Sequence, residues 1–171
     1  AAIESAVAEV RGRDAESLEL ARDADRLYTD TNSASRERLY NRATIAGALS
    51  RLGDHAEAEA VYAELVPRAE AQLGPTHGFT LAVRALRAVN LSRTGDYAAA
   101  VEQHAELARL RAETFGPRSR AAISSRTSAL RARIILATTL PPDHPRRRAH
   151  TEEGRAIVDD ALAGGLTGSV V

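Results

Sequence analysis

The stretch LSRLGDHAEAEAVYAEL, residues 49–65, returns 42 residues later as LSRTGDYAAAVEQHAEL, residues 91–107. Laying Leu39–Pro75 over Leu81–Pro117 gives 16 identities, among them Arg42/Arg84, Leu49/Leu91, Gly53/Gly95, Asp54/Asp96, Ala58/Ala100, Leu65/Leu107 and Gly74/Gly116. A fixed period of this length marks a stacked-repeat architecture, in which one unit is too small to bury its apolar face and neighbours complete the core.

Within one period the apolar and small residues Val83, Leu86, Ala88 and Leu91, then Tyr97, Ala100, Val101, Leu107 and Leu110, follow helical spacing and not alternation. Gly95 stops the first helix and Asp96 is placed to cap the second. Gly116 and Pro117 end the pair, as Gly74 and Pro75 end the one before it. The unit is a helical hairpin with an inner Gly-Asp turn and an outer Gly-Pro linker.

Composition agrees. The 171 residues include 35 Ala against four Tyr, two Phe and no Trp or Met, so the core must be built by close backbone approach. Ala, Arg, Leu and Glu all favour helix. With no Cys, disulfides, thiolate metal sites and cysteine nucleophiles are excluded. No apolar run approaches the roughly 18 residues of a membrane span. The opening AAIESAVAEV carries acids and no basic leader, so no signal peptide is expected and a cytoplasmic location is. All 23 basic residues are Arg, which with the Ala excess points to a GC-rich bacterial source.

The flanks are looser. RGRDAESLELARDADRLYTDT reads as the second helix of an earlier pair, with Gly12 at the turn and residues 1–10 as its first helix. After Pro117 one helix of about 20 residues keeps Arg126 in register with Arg42 and Arg84; then the register breaks at PPDHP, and a helix follows from Arg146 to Ala163. The expected organisation is one domain over 1–163, in pairs near 1–30, 34–73, 77–115 and 118–163, with 164–171 as a frayed tail.

The Gly-Asp-Tyr inner turn, the Ala three residues after the Tyr, and LGPTHGFTL at Leu73, matched by LPPDHP at Leu140, resemble the tetratricopeptide repeat in its 42-residue, kinesin-light-chain-like variety. The resemblance implies an all-α fold, a right-handed α-solenoid whose first helices line a concave groove for a protein or peptide. Carried onto this chain, the partner-binding groove would include Tyr40, Thr44 and Arg51, then Leu86, Val89 and Arg93, then Arg131. The side-by-side Asn residues that grip a ligand backbone in such repeats are here Ala43 and Thr44, then Ala85 and Leu86, which leaves a shallow, partly apolar groove.

Charge adds one further candidate. Residues 109–155 hold 11 Arg against 4 acids, and Arg146, Arg147 and Arg148 make the densest cluster, an anion-binding candidate. Arg42, Arg84 and Arg126 are expected to pack by their stems and pair with recurrent carboxylates such as Glu64 and Glu106. The five His show no metal-ligand spacing, and no nucleophile has a base beside it, so neither metal, cofactor nor catalysis is expected. The expected role is a protein-interaction module of a bacterial regulatory or adaptor protein. The alternatives are a sensor for a small or anionic ligand, and a scaffold that dimerises through a terminal repeat; nucleic acid is not the expected partner.

Overall fold

The structure, a computed structural model, describes residues 2–30 and 36–163, with side chains over 12–28 and 36–159. The described residues form seven helices: α1 Ala2–Asp30, α2 Arg36–Leu52, α3 His55–Leu73, α4 Gly78–Thr94, α5 Tyr97–Phe115, α6 Arg120–Thr139 and α7 Pro145–Ala163. No strand occurs among them, as the composition predicts. The chain divides into two compact units, 1–94 and 95–171. The division falls at the inner turn of the hairpin expected over 77–115, so α4 belongs to the first unit and α5 to the second.

The turns explain the repeat. Gly53, Gly74, Gly95 and Gly116 all have positive φ, between 84° and 102°, a region where a Cβ is penalised. These are the stops of α2, α3, α4 and α5, two inner turns and two outer linkers at equivalent positions. Asp96 accepts a hydrogen bond from the Ala99 amide at 3.1 Å and so caps α5. Asp54, its repeat equivalent, makes no side-chain cap bond.

The outer linkers share one construction. His77 accepts from the Phe79 amide through Nδ1, and His144 accepts from the Arg146 amide through Nδ1, each at 3.2 Å. Ser119 takes the same place, accepting from the Ala122 amide through its hydroxyl. Each of the three residues also donates its own amide to a carbonyl three positions back, on Gly74, Gly116 and Pro141. The linker motif thus occurs three times, and PPDHP is its third copy.

Two expectations are corrected. The first 30 residues are not a hairpin: α1 runs unbroken through Gly12. A helical Gly costs only about 1 kcal/mol against Ala, its neighbours are good helix formers, and no Asp follows it directly to cap a new start. The described residues therefore hold a single helix, α1, and the helix pairs α2/α3 and α6/α7, each packed within one unit, while α4 packs on α3 and α5 on α6. The partner of Arg84 also differs from the recurrent carboxylates expected: it is Glu70 of α3, while Glu106 pairs with Arg109 one turn along its own helix. Arg42 does pair with Glu64, at 2.6 Å. The tail 164–171 lies outside the described residues.

In the first unit α1 packs on α2, α2 on α3 and α3 on α4. Leu18, Leu39, Leu49, Tyr62, Leu65 and Val83 form its core, interleaved with the fully buried Ala46, Ala48 and Ala58. Small residues at the crossings let helices approach, as the Ala count requires. In the second unit α5 packs on α6 and α6 on α7.

Candidate docking face on helices α2 and α4

Sequence places Tyr40, Thr44 and Arg51 on one stripe of α2, and Leu86, Val89 and Arg93 on one stripe of α4. The two helices run parallel and meet at both ends. Near their starts the Tyr40 and Phe79 rings stack edge to face, with centroids 4.4 Å apart. Near their ends Arg93 donates to the Ser50 carbonyl at 3.2 Å and to the Ser50 hydroxyl at 3.3 Å.

Between these contacts the face is open and partly apolar. Tyr40 is 50% exposed, Leu86 46% and Val89 39%. Thr44 is exposed, with its hydroxyl donating to the Tyr40 carbonyl one turn back. Large side chains left this open on helices that otherwise bury their apolar residues form a surface for which water is a poor partner.

The cations at one end have structural partners. Arg51 pairs with Asp14 of α1 at 2.7 Å, and Arg93 satisfies a carbonyl in the last turn of α2, where positive charge also meets the negative end of the helix dipole. Both act on Tyr62 of α3. Burial pushes its phenol up to about 12, with Arg51 and Arg93 opposing the rise and Glu59 adding to it. These guanidiniums brace the first unit before they serve any ligand.

Sequence reasoning missed Asn90. It is fully buried on α4, where its amide donates to the His55 carbonyl at 3.0 Å and its carbonyl oxygen lies 3.2 Å from His55 Nδ1. The equivalent places hold Ala48 and Ala132, both buried. A polar residue at a register position otherwise filled by Ala was the available signal.

Arg131 is exposed on α6, in the second unit. The basic cluster is split: Arg146 and Arg148 are exposed, while Arg147 is half-buried and donates to the Leu140 carbonyl at 3.3 Å, tying α7 to the end of α6. Among the described residues no group of His, Cys, Asp or Glu is arranged to hold a metal ion. No helix among them is long and apolar enough to cross a membrane.

Hairpins joined by Gly-stopped turns, with a first-helix face left open, define a helical-repeat fold of the tetratricopeptide kind. The tetratricopeptide repeat family model matches residues 35–113, from just before α2 to the last turn of α5. Among solved structures the chain is similar to that of Podosopora anserina kinesin light chain nearly identical TPR-like repeats, with 19% identity over 98% of this chain and 95% of that one, and a TM-score of 0.65. A single-substitution variant of the same Podosopora anserina protein matches at 20% identity over 93% and 91% of the two chains, also with a TM-score of 0.65. No curated protein matches the chain.

Proposed function

We propose that the α2/α4 face docks a protein or peptide partner, and that residues 1–163 serve as one repeat array in a cytoplasmic regulatory or adaptor protein of bacterial origin. Repeats of this kind in general mediate protein interaction. The observation that carries the reading is the exposure of Leu86, Val89 and Tyr40 on adjoining stripes of two parallel helices. Apolar anchors at the centre of such a face supply the binding energy, and rim cations add orientation. Because Arg51 and Arg93 are already engaged, the apolar residues bear the larger share. The role is binding and not catalysis, and the Arg-only basic set with its Ala excess supports the bacterial source.

The test is selection of peptides from a displayed library on the immobilised chain, repeated with Leu86→Asp/Val89→Asp. Both positions are exposed, so the variant should keep its helical circular dichroism. We expect selected peptides to lose at least about tenfold in affinity for the variant, because a carboxylate is placed against an apolar anchor. Equal affinity would refute the face.

A further inference from the structure

The second unit carries a cavity that the docking face does not use. A pocket of about 340 Å³ lies between helices α6 and α7. Leu130, Ile134 and Ala137 line it from α6 and Val158 from α7. These residues recur every three or four positions, so one helix contributes a continuous apolar wall. Its floor depends on Gly154: a Cβ there would meet Leu130 Cδ1 at 3.3 Å, and its absence lets α7 lie close on α6.

The rim carries basic side chains. Arg147, His150 and Arg155 line it, and the described residues lining it include no carboxylate. His150 Nδ1 is buried without a hydrogen-bond partner, and Glu153, 4.0 Å away, is held at 3.0 Å by Arg133. Arg155 is exposed at the mouth. The pocket lies within the segment that carries 11 Arg against 4 acids. An apolar cleft with two guanidinium groups and an imidazole at its rim, at the small end of ligand-pocket sizes, suits a small molecule with an apolar body and one anionic end. Planar guanidinium groups favour a carboxylate as that end.

We propose that the α6/α7 pocket binds a small amphiphilic carboxylate, its chain or ring against Leu130, Ile134 and Val158 and its carboxylate at Arg155 and His150. The site stands on the second unit alone and is independent of the α2/α4 reading. It also shifts the anion-binding expectation from Arg146 and Arg148, which do not line this pocket, to Arg147 and Arg155, which do.

The experiment is an NMR titration of the isotopically labelled full chain with octanoate and 2-naphthoate, with octylammonium as a charge-reversed control and an acidic amphipathic peptide as the competing occupant. A ligand of about ten heavy atoms should bind with a dissociation constant on the order of millimolar. The expected result is saturable shifts in Ile134, Gly154 and Val158 with at least one carboxylate, and at least about tenfold weaker binding of octylammonium. Arg155→Gln should weaken the carboxylate by about tenfold, and Ile134→Glu, at a position 54% exposed and so tolerant of charge, should abolish it. Four outcomes overturn the proposal: no saturation with either carboxylate, equal binding of the cation, shifts spread over α1 to α4, or shifts at these residues only with an acidic amphipathic peptide. The last would make the pocket a protein-docking groove.

Discussion

Tyr62 and His104 occupy the same position of successive repeats, and the two units treat them differently. Tyr62 fills the first unit's core at 1% exposure, with Arg51 and Arg93 near enough to oppose the rise of its pKa. His104 is also buried, but its Nδ1 has no hydrogen-bond partner, and Arg111 on its own helix adds a like charge. Burial first, and Arg111 second, hold its imidazole below the ordinary value of 6.5. One register position can therefore be a filled anchor in one copy and a polar defect in the next. Repetition fixes where a side chain goes; it does not fix what that side chain contributes.

Truncation should separate the two most sharply. Tyr62→Ala removes a large, fully enclosed ring and should lower unfolding free energy by about 3–5 kcal/mol, whereas His104→Ala should lose on the order of 1 kcal/mol, since an unsatisfied polar atom leaves with the cavity. Urea denaturation of both variants measures this. Equal losses would mean that the orphaned nitrogen of His104 is partnered in solution.

The turns should be more alike than the cores. Gly53→Ala and Gly95→Ala each force a Cβ into positive φ, at 102° and 84°, and should each cost about 1–2 kcal/mol. Thermal denaturation of the two variants should therefore give similar falls in Tm. A much smaller fall for Gly95→Ala would show that the junction between the units relaxes, as the turn inside the first unit does not.

The smallest effect is on pH. Because the folded pKa of His104 lies below its unfolded value, the unfolded chain binds the extra proton between the two. Its contribution to stability thus falls as pH drops below about 6.5 and levels off below the folded value. His104→Leu should lose less stability than the parent chain between pH 7.5 and 5.5, measured in urea at each pH. Parallel profiles would show that the imidazole is not held neutral.

The helical hairpin was legible because its determinants are local. Gly53, Gly95, Gly74 and Gly116 sit where only residues without a Cβ are comfortable, and Ala58 and Ala100 sit where helices touch, so each left a mark at a fixed spacing. The unbroken α1 was not legible, because a glycine inside a helix and a glycine ending one are the same letter, and only the neighbours distinguish them. The partners of Arg84 and Arg93 were hidden for another reason. Glu70 and Ser50 are brought near by packing, which a period along the chain does not encode. The exposure of Leu86 and Val89 followed from helical phase, but the α6/α7 cavity did not, since it arises where the register is lost: Arg133 stands at the place of Leu49 and Leu91, and Ala137 at that of Gly53 and Gly95. Without a stop there, α6 runs to 20 residues, against 17 for α2 and α4.

The outer linkers have a consequence for how such a chain grows. A segment cut after Gly74 and again after Gly116 carries a start signal at His77 and its own terminating glycine, so a duplicate spliced in at that seam would leave every neighbouring helix with the ends it already has. Lengthening by whole units demands no new junction chemistry. The linker at Leu140 differs, because Pro141 stands where the earlier two have Gly74 and Gly116, so a cut made there would not carry the same stop.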